Sequence, residues 1–292
     1  LPGLHKGRTA VITGGSLGIG LQLGRFLAIA GARVLLSARS EGKLAEARDE
    51  IVDELRNIGY PRPESRVTIL GGIDVGDPDA LDRLHAHAVA ELGHVDFLIN
   101  NAGISGAEEM VVDMTRADWD RTMEANLISN YSLIRKFSPA MKAGGRGSIL
   151  NVSSYFGGEK YVAVAYPNRA DYAVSKAGQR VLAEILSRHL GPEIQINALA
   201  PGPVDGARLR GSAEAPGLFD RRGLLVLENK RLNEVHKAIL AGMSSGFSAD
   251  DVMTLASNAV DGIDIDALPK PIARLVLKIR DSGGLGNSSN YL

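Results

Sequence analysis

The segment that most limits how this chain can fold is an apolar run that ends in a cluster of glycines. Arg8-Thr9-Ala10-Val11-Ile12-Thr13 predicts a short buried strand, Gly14-Gly15-Ser16-Leu17-Gly18-Ile19-Gly20 a turn, and the residues up to Ala30 a helix. A helix that starts on such a turn points its first N–H groups and its positive dipole end into it, which suits phosphate. The glycines divide the work. Gly14 permits the tight turn, Gly18 lets backbone approach a pyrophosphate, and Gly20 lets helix and strand pack closely. Ser16 and Ile19 share that turn and count as candidate contacts.

The pattern then repeats. Strands are predicted over 8–13, 33–38, 66–70, 95–99, 147–152 and 194–199, with helices over 18–30, 41–58, 77–92, about 117–142, and 169–190. Val34-Leu35-Leu36 and Phe97-Leu98-Ile99 show no polar alternation, as expected of strands covered on both faces. The fold class that follows is α/β, a doubly wound parallel sheet. After Gly206 the strand pattern stops and helical patterns appear near 216–241, 248–260 and 268–280. Two domains are expected: residues 1–206, carrying a nucleotide site and the catalysis, and residues 207–292, a helical extension on the substrate side. The chain opens Leu1-Pro2-Gly3 and closes on a Gly-, Ser- and Asn-rich stretch that reads as a flexible linker, so other segments of a longer parent polypeptide are expected.

Chemistry is signalled by Tyr172-Ala173-Val174-Ser175-Lys176. A tyrosine four residues before a lysine shares a helix face with it. An ammonium beside a phenol favours the phenolate, which makes a general acid/base for a carbonyl or an alcohol.

Composition removes several alternatives. With 33 basic and 34 acidic residues the net charge is −1, so nucleic acid and anionic membrane are not expected partners. No apolar run approaches the ~20 residues of a membrane span. Nothing reads as a leader, and a cytoplasmic location is the expectation. The chain has 0 cysteines, which excludes both disulfides and a thiol nucleophile of its own.

Six motifs occur in an order that resembles the short-chain dehydrogenase/reductase family: Thr13-Gly14-x-x-x-Gly18-Ile19-Gly20, Asn100-Asn101-Ala102-Gly103, Asn126, Ser153-Ser154, Tyr172-x-x-x-Lys176 and Pro201-Gly202. The match runs from residue 6 to about residue 206. The resemblance implies a Rossmann-type fold and hydride transfer. It assigns Ser154 to the substrate oxygen, Tyr172 to proton donation, Lys176 to the tyrosine and the nicotinamide ribose, and Asn126 to a water that relays protons to Lys176. Ser154 is preferred over Ser153 because Ser154-Tyr155-Phe156-Gly157 matches the family's Ser-x-x-Gly. It also implies cofactor contacts from Asp74 and Val75, from Asn101, Ala102 and Gly103, and from Pro201 and Gly202, and a homodimer or larger assembly. Ala38 stands where NAD-dependent relatives carry an acid, and Arg39 follows it with donors suited to a 2′-phosphate, so the expected cofactor is NADPH.

The stretch between Ser154 and Tyr172 is longer than the family usually shows. The surplus lies within residues 159–169 and brings Tyr166 and Arg169 to the substrate mouth as candidate contacts. That insertion, Pro167-Asn168-Arg169-Ala170-Asp171, Glu214-Ala215-Pro216-Gly217-Leu218-Phe219 and Glu228-Asn229-Lys230-Arg231-Leu232 resemble the first reductase module in the C-terminal half of bifunctional malonyl-CoA reductases. This closer resemblance implies NADPH-dependent reduction of an acyl-CoA, malonyl-CoA, to malonate semialdehyde. A malonyl carboxylate calls for an arginine, with Arg208 as first choice and Arg169 as second. Two alternatives remain open here. One is a simpler aldehyde, ketone or 3-oxoacyl reductase, including one that converts malonate semialdehyde to 3-hydroxypropionate. The other is a non-catalytic nucleotide-binding module of a larger enzyme.

Overall fold

A computed structural model describes residues 3–158, 166–202 and 204. By internal contacts the chain divides into two units, Leu1–Pro203 and Val204–Leu292, and the fold below is that of the first. Six parallel strands, β1 Thr9–Thr13, β2 Arg33–Ser37, β3 Val67–Leu70, β4 Phe97–Asn100, β5 Gly147–Val152 and β6 Ile194–Leu199, form one sheet in the order β3-β2-β1-β4-β5-β6. The order reverses between β1 and β4, and in such sheets ligands bind there, beyond the strands' carboxyl ends. Each strand lies within a few residues of its predicted span. The helices are α1 Gly18–Ile29, α2 Glu41–Asn57, α3 Pro78–Leu92, α4 Arg116–Met123, α5 Ser129–Ala143 and α6 Ala170–Leu190.

The single helix expected over 117–142 is interrupted. Between α4 and α5 the chain makes one π turn, Glu124–Ile128, and Asn126 lies on it, fully buried. Such bulges commonly turn a side chain toward a functional site. The helical patterns expected after Gly206 lie outside the described residues.

Two apolar layers cover the sheet. Val11, Leu35, Leu98 and Ile149 pack with Leu84, Leu133 and Phe137 on one face, and Ala10, Ile12, Val34 and Leu36 with Leu27, Ile51 and Leu55 on the other. Neighbouring residues of β1 therefore serve opposite cores, which is why the sequence shows no polar alternation there. Truncating Phe137 to alanine would cost about 3–5 kcal/mol.

At the amino ends of the strands one carboxylate ties three segments. Asp96, 3% exposed, accepts hydrogen bonds from Arg8 Nη1 at 2.7 Å, Arg146 Nε at 2.6 Å and the Thr9 N–H at 2.9 Å. Burial pushes its carboxyl up, but the bonds from Arg8, Thr9 and Arg146 outweigh that and hold it below the usual carboxylate range.

Candidate active site

The glycine turn is built around a brace from β4. Asn101 Nδ2 donates to the carbonyls of Thr13 (3.0 Å) and Gly14 (3.1 Å), while Thr13 Oγ1 accepts from the N–H groups of Asn101 and Ala102, each at 3.1 Å. Gly14 takes φ +65°, and a Cβ there would stand 2.9 Å from Asn101 Nδ2. A Cβ on Gly20 would stand 2.3 Å from the Gly14 carbonyl oxygen, so both glycines are required by close approach. Gly18 differs: at φ +56° its Cβ position has nothing within 4 Å, so the turn is open on that side. Helix α1 starts at Gly18, and neither a side-chain cap from Leu17 nor an acid in the first turn occupies its leading N–H groups. Ser16 and Ile19 are half-buried beside them.

Gly15 N–H donates to the Ser37 carbonyl at 3.1 Å, which draws the end of β2 to the turn. Arg39 follows, exposed and with no acidic partner among the described residues. Asp74 is also exposed, and its Oδ1 accepts the Gly76 N–H at 2.9 Å, shaping the turn after β3; Val75 packs against the core.

The end of β5 and the start of α6 interlock. Ser153 Oγ donates to the Lys176 carbonyl at 2.7 Å, which commits that hydroxyl to structure. Ser154 Oγ accepts the Phe156 N–H at 3.3 Å and keeps its proton for another acceptor. A Cβ on Gly157 would meet the Ala177 nitrogen at 2.4 Å, so only glycine lets the serine segment lie on α6. The Pro201 carbonyl accepts the Tyr155 N–H at 3.1 Å, bringing the Pro201-Gly202 segment to the same place. The Tyr172 ring stands edge-on to Phe156 at 5.7 Å, and Lys176 Nζ lies 5.8 Å from the Tyr172 centroid.

Lys176 Nζ donates to the Val152 carbonyl (2.8 Å) and to Gln179 Oε1 (3.3 Å). Asn126 holds the loop after β4: its Oδ1 accepts the Ile104 N–H at 2.8 Å, and its Nδ2 donates to the Ile104 carbonyl and to Ser175 Oγ, each at 3.0 Å. Its backbone carbonyl accepts from Gln179 Nε2. Gly103 closes the group, since a Cβ there would lie 2.7 Å from Asn126 Oδ1 and 3.6 Å from Lys176 Nζ. Glycine turn, serine segment, tyrosine, lysine and Asn126 thus gather at the carboxyl edge of the sheet.

Arg169, expected at a substrate carboxylate, is 4% exposed and ion-paired with Glu108. Its guanidinium carbon lies 5.1 Å from the Tyr172 centroid and 5.6 Å from that of Phe156. A charge already matched and buried is poorly placed to receive a substrate anion. Tyr166 packs on Phe156 at 5.3 Å. Arg208 lies outside the described residues.

Three participants were not foreseen. Gln179 follows Lys176 by three positions on one helix face, a spacing that could have flagged it. Asp171, fully buried, accepts from Ala107 N (3.0 Å), Thr122 Oγ1 (2.7 Å) and Tyr172 N (2.7 Å), clamping the β4 loop to the start of α6. Glu108 has no local signal, because its partner is distant in sequence. It takes φ +59°, a left-handed conformation costing about 1–2 kcal/mol in a residue with a side chain.

A groove of about 750 Å³ lies elsewhere, between α2, β3 and α3, and is lined by Arg48, Asp53, Arg56, Glu64, Thr68 and His87. Its charges largely satisfy one another, Arg56 pairing with Asp53 and Glu64, and it is remote from the carboxyl edge. Among the described residues no group of three His, Cys, Asp or Glu could hold a metal ion, and no helix is long and apolar enough to cross a membrane.

A strand–glycine turn–helix at the switch point, with tyrosine and lysine facing a serine segment, defines a hydride-transferring oxidoreductase. The chain belongs to the short chain dehydrogenase family, whose profile matches residues 8–216. It is 33% identical over 199 residues to the 7alpha-hydroxysteroid dehydrogenase of Escherichia coli K12, covering 68% of this chain and 71% of that one. Among solved structures it is similar to the NADP-bound C-domain of a bacterial malonyl-CoA reductase, with 52% identity and a TM-score of 0.73, over 94% of this chain and 42% of that chain. A metagenomic short-chain oxidoreductase in complex with NADP is 33% identical, with a TM-score of 0.60, over 68% of this chain and 84% of that chain.

Proposed function

We propose that this chain reduces malonyl-CoA to malonate semialdehyde with NADPH, releasing CoA, as one reductase module of a larger polypeptide that works as a dimer or larger assembly. The observation that carries this reading is the 52% identity to the malonyl-CoA reductase C-domain, which extends over 94% of this chain. Residues 207–292 would supply the substrate side.

The residues present fit the cofactor. The open face at Gly18 and the uncapped start of α1 offer N–H groups to a pyrophosphate, and exposed Arg39 beside the turn offers a fork of donors to a 2′-phosphate. Gly103 lies beside Lys176 and Pro201 beside the serine segment; with their neighbours Ala102 and Gly202, and with Asp74 and Val75 in the turn after β3, they would complete the cofactor's contacts. Asn101 would act through the turn, whose carbonyls its amide holds.

When bound, NADPH supplies the hydride. Ser154 donates a hydrogen bond to the thioester carbonyl oxygen, where negative charge develops as the new C–H bond forms. Tyr172 gives that oxygen its proton. The resulting hemithioacetal collapses: the C–S bond breaks, its electron pair leaves on sulfur as the CoA thiolate, and the hydroxyl proton returns to the Tyr172 phenolate as the aldehyde forms. No enzyme thiol takes part, in keeping with the 0 cysteines. Lys176 holds the ribose and stabilises the phenolate. Arg208 remains the first candidate for the malonyl carboxylate.

The test follows NADPH oxidation with malonyl-CoA, with acetyl-CoA and with malonate semialdehyde, using the parent polypeptide. Malonyl-CoA should be consumed with stoichiometric CoA release, and Arg208→Gln should narrow its advantage over acetyl-CoA. Turnover of malonate semialdehyde alone would replace this reading with that of an aldehyde reductase.

A further inference from the structure

We propose that Arg169, held by Glu108, is a second cation serving Tyr172: a positioning residue that fixes the ring and favours its phenolate. This rests on the reading of Tyr172 as the proton donor. The tyrosine–lysine pair needs one cation, and here the ring has two. Arg169 Cζ lies 5.1 Å from the Tyr172 centroid and Lys176 Nζ 5.8 Å, both inside the ~6 Å reach of a cation–π contact. Arg169 also lies over Phe156, so its planar group bears on both rings of an edge-to-face pair. A lysine ammonium would not stack in this way.

Burial gives the charge weight. At 4% exposed, Arg169 is little screened by water, and its field at the phenol is correspondingly larger. Glu108 pairs with it through its carboxylate, and Asn168 Nδ2 donates to the Glu108 backbone carbonyl at 3.4 Å, so two adjacent residues of the insertion fix Glu108. Among the described residues the charged groups that bear on the ring are Lys176 and Asp171 on α6, Arg169 on the turn before it, and Glu108 on the loop after β4. The segment after β5 brings Ser154, Tyr155 and Phe156, which carry no charge. The insertion between Ser154 and Tyr172 therefore delivers a cation to the proton donor, and Glu108 sets how much of that charge the phenol feels.

The two partners push in opposite directions, which makes the experiment decisive. Phenolate absorbance is titrated in the intact chain without substrate, and the Tyr172→Phe protein is subtracted. Arg169→Met should delay the Tyr172-dependent band to higher pH. Glu108→Gln, nearly isosteric, should bring it in at lower pH, and Arg169→Lys, which keeps the charge but not the stacking, should restore only part of the loss. Turnover of malonyl-CoA by Arg169→Met should show a lower kcat with little change in KM. Both variants moving the band the same way, or neither moving it while circular dichroism reports a native fold, would overturn the proposal. So would a raised KM at unchanged kcat, which would return Arg169 to the substrate carboxylate. The titration needs no substrate, so it stays readable if malonyl-CoA is not turned over.

Discussion

Lys176 donates to the side-chain oxygen of Gln179, and the nitrogen of the same amide donates to the backbone carbonyl of Asn126. The amide holds the Lys176 ammonium and ties it to the π turn that carries Asn126. Gln179→Met should therefore lower kcat about tenfold, on the order of 1.4 kcal/mol, and change NADPH affinity less. Gln179→Glu, which can still accept from Lys176, should recover part of the loss and move the alkaline limb of the rate profile upward. A fall in thermal stability with an unchanged profile in both variants would mark Gln179 as a packing residue only.

Tyr172→Phe should reduce turnover by about 10²–10⁴-fold while NADPH still binds, because the ring contacts with Phe156, Arg169 and Lys176 persist. Ser153→Ala and Ser154→Ala should part company. The first loosens the Lys176 carbonyl contact and shows mainly as instability, whereas the second shows in kcat. Steady-state kinetics beside cofactor titration by fluorescence separates these outcomes.

Arg39→Ala should raise KM for NADPH far more than KM for NADH. Only the phosphorylated cofactor loses a charge-assisted contact, on the order of 1.5–3 kcal/mol. Equal use of both cofactors by the unmodified protein would dismiss the assignment.

Asp96 gives the fold a pH dependence. Its carboxyl is held below its ordinary value in the folded chain, so the stabilisation is fully present above the unfolded value of ~3.9 and is lost as pH falls through the folded one. Asp96→Asn should cost about 2 kcal/mol at neutral pH, a modest figure because Arg8 and Arg146 are well exposed and can be rehydrated. Its thermal stability should also fall less steeply than that of the parent below about pH 4. Melting curves across that range test both statements.

Much of the sheet was readable because buried parallel strands are continuous apolar runs and their helices have clean starts, such as Ser40 and Asp77. The glycine turn, Tyr172 and Lys176 were readable for a related reason: local spacing alone puts them together. What spacing cannot show is contact across the chain. Glu108 and Arg169 meet only after β4 and α6 are laid side by side, so Arg169 looked like a loop residue facing substrate. The π turn at Asn126 also escaped, because an extra residue in one helical turn leaves the apolar pattern almost unchanged.

The parallel order of the strands also governs how the chain must be assembled. Ala10 pairs with Phe97 in β4, and β4 pairs in turn with Ser148 and its neighbours in β5. As the polypeptide emerges from the ribosome, β1 and β2 can pair early, but one side of β1 stays unpaired until residue 97 is free. Such non-local closure is slow. During that interval the apolar edge Ala10-Val11-Ile12 is open to a second nascent chain, so recombinant fragments that stop short of β4 should be recovered mainly as aggregates.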